Sequence, residues 1–132
     1  MKIQTLSLGL LLPALFLLTV AATRQDALDT VLGALKNGNA TQLSARFEQQ
    51  LTLTLPDQST QVSKAQAQAA VTTFFAACRV TGFELKHRGH APGGAFAMGT
   101  LMTEKGQFRV NVFMAPGGPK QGVRELRIQT MD

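Results

Sequence analysis

Residues 63–88, SKAQAQAAVTTFFAACRVTGFELKHR, decide the fold class. Ser63 followed by Gln66 is the pattern of a capping box, in which each side chain bonds the other residue's backbone N–H at a helix start. Alanine, the best helix former, then dominates as far as Cys78. From Thr81 onward β-branched and aromatic residues take over. The stretch therefore predicts a helix that ends near Cys78 and leads directly into a strand.

The chain after this helix is a series of strand-like segments. Four segments rich in β-branched and aromatic residues follow one another: 81–88, 96–103, 107–114 and 123–131. The connections between them are short and rich in Gly and Pro. Such connections indicate antiparallel hairpins, because a parallel crossover needs a dozen or more residues.

The hairpin between residues 96 and 114 has two possible registers. A two-residue turn at Lys105 and Gly106 places Gly99 on the same face as Phe108, whereas a three-residue loop places Met98 there instead. A slip of one residue moves every side chain of a strand to the opposite face. Close packing of a helix over Gly99 would favour the first register.

The chain before Ser63 predicts two more helices and one more strand. Apolar residues at helical spacing indicate an amphipathic helix over residues 26–36, followed by Gly38 at its end. Asn39 can cap a second, short helix, which we expect to present Leu43 and Phe47. Residues 51–55, LTLTL, alternate with the period of a strand and lead into a turn at residues 56–59.

Residues 1–22 have the three parts of a secretory signal peptide. A single lysine precedes an uncharged, largely apolar run over residues 6–22, and small residues close that run before Thr23. The run is at the lower edge of the roughly 17–25 residues that span a bilayer, and Pro13 interrupts it. We therefore expect cleavage, export to the periplasm or beyond with no stable membrane anchor, and one mature domain over residues 23–132.

The composition argues against several kinds of partner. The whole chain has a formal charge of +5, and the part after the expected cleavage has twelve basic and eight acidic residues, or +4. These charges are scattered, which is typical of a solvated surface. With no Trp or Tyr, and with the phenylalanines needed for the core, nucleic-acid binding is not expected.

Cys78 is the single cysteine, so it cannot form an intramolecular disulfide, and we expect it to be a buried apolar residue.

Helices followed by a strand meander indicate an α+β fold. The chain also resembles an exported bacterial family of unknown function in the cystatin-like, nuclear-transport-factor-two-like (SnoaL-like) superfamily. That resemblance rests on these stretches: 53–56, 63–67, 74–75, 99–101, 106–110, 113 and 125–128. It implies N-terminal helices packed on a strongly curved antiparallel sheet that forms a cone. It implies no particular activity, because the superfamily includes enzymes, binding modules and dimerisation domains.

Three residues are candidates for a ligand-binding site. His87 shares the alternation of Phe83 and Leu85, which would place its imidazole inside the cone; the alternative, which a histidine without an orienting partner favours, is a strand-end residue that is solvated or bonded to backbone. Glu125 and Arg109 are predicted on the outer face, where they would serve cross-strand pairing or a dimer contact. No pair of acids is placed for general acid–base catalysis, and two histidines without nearby Cys or paired acids fall short of a metal site.

These observations favour a non-catalytic exported domain with no cofactor, which binds a small ligand or an envelope protein. The first alternative is a cofactor-free lyase or isomerase that uses His87 inside the cone. The second is a structural module whose exposed sheet forms a homodimer. A polar cavity inside the cone would favour ligand binding or catalysis, whereas a cone filled by phenylalanines would leave the outer sheet face as the binding surface.

Overall fold

A computed structural model describes residues 26–118 and 121–131. The predicted signal peptide, residues 1–22, lies outside the described residues. Within the described residues no helix is both long enough and apolar enough to cross a bilayer. The helices are α1 Ala27–Asn37, α2 Ala40–Ser44 and α3 Lys64–Cys78, and the strands are β1 Phe47–Leu55, β2 Gln58–Ser63, β3 Val80–Ala91, β4 Gly94–Thr103, β5 Gly106–Met114 and β6 Val123–Thr130.

The predicted helix ends are confirmed. Asp26 caps α1 by accepting the backbone N–H of Asp29, and Gly38 ends the helix in the left-handed conformation at φ 62°. The capping box at the start of α3 is complete, because Ser63 accepts the N–H of Gln66 while the Gln66 side chain accepts the N–H of Ser63. These bonds satisfy N–H groups that the first turn of a helix leaves free.

The six strands form one curved, unclosed sheet in the order β2-β1-β6-β5-β4-β3. Strands β3 to β6 are the predicted antiparallel meander, and β2 pairs with β1 in the same sense. The pair β1–β6 is parallel and joins the N-terminal hairpin to the meander. The helices pack on one face of this sheet, which confirms the predicted α+β cone; we call that face the inner face and the opposite one the outer face.

Two details of the N-terminal half differ from the sequence prediction. Phe47 is the first residue of β1 and pairs with Val123, so it belongs to a strand and not to the short helix. Residues 58–63 form the strand β2, where the sequence predicted a turn followed by the α3 cap. Strand β2 has no apolar alternation, because it lies at the sheet edge and its first four residues are exposed.

The hairpin between β4 and β5 has the faces of the first predicted register but a different turn. Thr103 pairs with Gly106, so the two turn residues are Glu104 and Lys105. Gly99 pairs with Val110 and lies on the inner face, so the face of the first register is right although the pairing partner differs. The close neighbour over Gly99 is the ring of Phe83 on β3, not a helix.

The middle of the cone is filled by apolar side chains. Phe75 and Phe108 are buried, and Phe74 packs edge to face on Phe108 with 5.2 Å between ring centroids. Leucine, valine and isoleucine fill most of the remaining space. Cys78 is buried in this core, as predicted. Among the described residues no buried side-chain polar atom lacks a hydrogen-bond partner, so the filled part of the cone offers no polar group to a ligand.

Candidate functional site

An open cleft of about 390 Å³ lies at one end of the cone, on the inner side of the sheet. We call it the mouth cleft. Three parts of the fold meet there: the start of α1, the hairpin between β3 and β4, and the loop that connects β5 to β6. Its lining residues are Asp26, Ala27, Leu28, His90, Ala91, Pro92, Gly94, Ala95, Met114, Ala115, Pro116, Gly117, Gly118 and Gln121. The volume falls in the range of about 300–1,000 Å³ that is typical of small-molecule sites.

Most side chains that line the mouth cleft are apolar, and polar side chains reach it from three segments. Leu28 and Met114 are buried beneath it. Asp26 comes from the N-cap of α1, His90 from β3, and Gln121 from the loop before β6. A few polar groups among apolar walls are the composition that orients a small ligand.

An arginine clasp connects the start of α1 to the sheet beside this cleft. Arg88 Nη1 donates to Asp29 Oδ1 at 2.6 Å, and Nη2 lies 3.3 Å from Asp26 Oδ2. The hydrogen bond and charge of the Arg88 guanidinium hold the pKa of Asp29 below its ordinary value of 3.8, against a smaller opposing effect of burial. The clasp thus stabilises the ionised carboxylate and fixes the α1 wall of the mouth cleft.

A β-bulge determines which residues of β3 face the mouth cleft. Leu85 pairs with Gly99 and His87 with Met98, so Lys86 is the extra residue on β3. The bulge reverses the alternation after Leu85. The prediction that His87 faces the inside of the cone is therefore wrong, because directly paired residues share a face and Met98 lies on the outer one.

The outer position of His87 is consistent with its surroundings. It is exposed, and its ring centroid lies 5.5 Å from that of Phe96. The same reversal turns Arg88 and His90 inward, opposite Ala97 and Ala95. The histidine at the mouth of the cone is thus His90, which the sequence placed in a loop.

Arg109 and Glu125 both lie on the outer face, as predicted, but the structure does not bring them together. Arg109 pairs with Thr100 and with Gln129. Glu125 lies further along β6, opposite Phe113, and its Oε2 accepts from Arg127 Nε at 2.6 Å. His87, Arg109 and Glu125 thus occupy separate places on this face and form no common site.

A cationic and aromatic patch surrounds Glu125. The guanidinium carbons of Arg124 and Arg127 lie 5.6 and 5.8 Å from the centroid of the Phe113 ring, within the range of cation–π contacts. Met98, on a neighbouring strand, is 38% exposed. Such a mixture suits contact with another macromolecule better than enclosure of a small one.

The described residues contain no cluster of three or more His, Cys, Asp and Glu side chains that could hold a metal ion.

The sequence could not have revealed the polar side of the mouth cleft. Asp26 and Arg88 are 62 positions apart, and the inward direction of Arg88 and His90 depends on the bulge. Lys86 carries no sequence signal for that bulge, since neither Gly nor Pro is adjacent to it.

Comparison with known proteins places the chain in a family. The family DUF4783, a domain of unknown function, matches residues 28–129. The chain belongs to the DUF4783 family. A DUF4783 protein of Bacteroides ovatus is 33% identical in its crystal structure and superposes with a TM-score of 0.73 over 78% of this chain and 94% of that one. The Bacteroides uniformis structure gives 31% identity and a TM-score of 0.76 over 81% of this chain and 99% of that one.

More distant structures share the fold of this DUF4783 chain. A Sinorhizobium meliloti protein, named for the polyketide cyclases, is 10% identical with a TM-score of 0.60 over 77% of this chain and 92% of that one. This likeness supports the nuclear-transport-factor-two-like fold and carries no information about activity. No protein with a curated description matches the chain significantly.

Proposed function

We propose that this DUF4783 protein is an exported, non-catalytic domain that binds a small ligand in the mouth cleft. The observation that carries the proposal is the convergence of Asp26, His90 and Gln121 on a cleft that is lined mostly by apolar side chains and has the filled core as its floor. The predicted signal peptide supports export. The expected ligand has an apolar body to lie against Leu28 and Met114, and a hydrogen-bonding group at one end.

The bonding of Asp26 favours binding over catalysis. Its carboxylate accepts the backbone N–H of Asp29 at 2.9 Å and lies within 3.4 Å of the Arg88 guanidinium. Those contacts cap α1 and close the clasp, so the carboxylate has a structural role in place of proton transfer. The alternative of an isomerase with His87 inside the cone lacks its geometric basis, because His87 lies on the outer face.

The binding test uses three probes with one carbon skeleton: phenylbutylamine, phenylbutanol and phenylbutyrate. We expect at least one probe to shift the amide NMR signals of Ala27 and Ala95. The order of the three affinities shows whether the cleft prefers a positive, neutral or negative group. In the variant Ala95→Phe, whose ring would occupy the cleft, those shifts should disappear.

The matched control for this test is Ala76→Phe, an exposed position on α3. It should bind the probes like the original chain. Shifts that persist in Ala95→Phe, or that fall outside the mouth cleft, would contradict the proposed site.

Export has a separate test. When the full chain is expressed in a Gram-negative host, the protein recovered from the periplasm should begin at Thr23 by N-terminal sequencing. Retention of the uncleaved chain in the membrane fraction would refute the proposed cleavage and leave the mouth cleft proposal untouched.

A second candidate function is recognition of an acidic protein partner on the outer face. It is favoured by the two arginines stacked on Phe113 beside exposed Met98. A polyglutamate peptide should then bind more weakly to Arg124→Gln/Arg127→Gln than to the original chain, with affinity that falls as salt rises. Equal binding to both proteins would exclude this surface.

A further inference from the structure

The two edges of the sheet differ in their protection against another strand. Strand β3 forms one edge, and its pairing with β4 is interrupted by bulges near Thr81 and Lys86. It also carries charged side chains, among them the ion pair of Lys86 with Glu84 and the Arg88 clasp. Bulges and charges are the devices by which natural proteins block edge-to-edge pairing.

Strand β2, the other edge, has none of these devices. Its six residues, QSTQVS, include no charge, proline or glycine, and they pair with β1 from Gln58 to Ser63 without a bulge. Residues 58–61 are exposed. Within the described part of the chain β1 is its sole strand partner. One side of β2 therefore presents free backbone donors and acceptors to a further strand.

The residues at the two ends of β2 indicate which strand would pair with its free side. Asp57 precedes β2 and Lys64 follows it, and no ion pair involves either one among the described residues. In an antiparallel pair of two β2 strands with the two-fold axis at Thr60, Asp57 faces Ser63 of the second copy. With the axis at Gln61 it faces Ala65. In both registers the Asp57 of each copy lies within one residue of the other copy's Lys64. The dimer therefore has one such Asp57–Lys64 pair at each end of the two paired β2 strands.

From this complementarity we infer that β2 pairs antiparallel with β2 of a second copy of this chain, which joins two sheets into one of twelve strands. The strands themselves are neutral, so no like charges oppose each other across the axis. Lys64 is free to take part, since its present bond to the Ala45 carbonyl is long, at 3.4 Å. The mouth cleft and the outer face stay open in this arrangement, because neither contains the exposed edge of β2.

The test is a charge exchange between the ends of β2, followed by sedimentation velocity over a concentration series. It uses residues 23–132, the mature chain that the proposed signal-peptide cleavage leaves. The original chain should form a dimer as its concentration rises. Asp57→Lys alone, and Lys64→Glu alone, should each weaken association about tenfold or more, since two attractive pairs become two repulsive ones.

An equimolar mixture of the two variants gives the decisive result. At one end of the mixed pair, the lysine introduced by Asp57→Lys lies opposite the glutamate introduced by Lys64→Glu. At the other end the original Asp57 and the original Lys64 lie opposite each other, so association should return to the level of the original chain. The recovery also shows that both variants are folded. As a control, Glu84→Lys on the opposite edge should dimerise normally.

Two results would overturn the inference. One is a chain that stays monomeric at every concentration. The other is a dimer that Asp57→Lys and Lys64→Glu leave unchanged, which would place the contact on another surface.

Discussion

Gly99 lies in the middle of β4, beneath the ring of Phe83. A methyl group there would contact that ring and would lie 2.5 Å from the backbone oxygen of Glu84, an atom that cannot move without disturbing β3. We expect Gly99→Ala to lower the free energy of unfolding by about 1–3 kcal/mol, as overpacking does in other cores. Urea denaturation measures this change.

Gly33 provides the opposite case and serves as the control for Gly99. It lies inside α1, and apart from its chain neighbours and the backbone of its own helix no atom lies within 4 Å of the position its methyl group would take. Gly33→Ala should raise the free energy of unfolding by about 0.5–1 kcal/mol, because alanine loses less conformational freedom in a helix. If Gly99→Ala raised the free energy of unfolding as Gly33→Ala does, the packing described at Gly99 would be incorrect.

Asp29 gives the stability a dependence on pH. Its pKa is lowered in the folded state by Arg88, so between the folded and unfolded pKa values the unfolded chain binds more protons. The clasp therefore contributes fully above the ordinary value of 3.8 and is lost as the pH falls through the lowered value. Asp29→Asn should be less stable than the original chain near neutral pH, and the difference should shrink in acid.

Chemical denaturation at several pH values measures this effect. Glu104→Gln, in the exposed turn between β4 and β5, is the control and should follow the original chain at each pH. A constant difference between Asp29→Asn and the original chain would show that the clasp does not depend on ionisation of Asp29.

At the scale of the element, the bulge in β3 can be tested by deletion. Removal of Lys86 leaves Leu85 opposite Gly99 and His87 opposite Met98, so both faces of the strand are kept. Lys86 forms an ion pair with Glu84, so removal of either residue abolishes that pair. Removal of Glu84, however, also turns Lys86 toward the inner face. We expect the Glu84 deletion to lower the free energy of unfolding by about 1–2 kcal/mol more than the Lys86 deletion, by thermal or urea unfolding.

A second readout of the deletions is the clasp itself. In the Lys86 deletion the pH dependence due to Asp29 should persist, because Arg88 still faces α1. Its loss there would mean that the deletion changes the register of β3 with β4, so that Arg88 no longer pairs with Ala97 on the inner face.

The helices and the meander were predictable because local chemistry determines them. Asp26, Asn39 and Ser63 each cap a helix through their own side chains, and apolar alternation marks the buried strands. Strand β2 was not predictable, because its side chains are largely exposed and its only signal is the pairing with β1. Phe47 was predicted on the short helix α2 for a related reason, because a buried phenylalanine fits the end of that helix as well as the start of β1.

At the scale of the whole molecule, the cone followed from the resemblance and from the order of helices and strands. The parallel contact of β1 with β6 follows from no local pattern, because these strands are far apart in the chain. The mouth cleft was not predictable for two reasons. Its polar side depends on the Lys86 bulge, and its clasp joins Arg88 to Asp26 across 62 positions.

The central place of β6 governs when this sheet can assemble. It is the last of the six strands in chain order, yet it lies between β1 and β5 and connects the two halves of the sheet. While the chain emerges from the ribosome N-terminus first, the β1–β2 hairpin has no third strand to pair with, and a lone hairpin is at best marginally stable in water. Pairing across so long a separation in the chain is also slow, because loop closure must come first. The two halves of the sheet therefore stay separate until β6 has been synthesised and can pair with both β1 and β5.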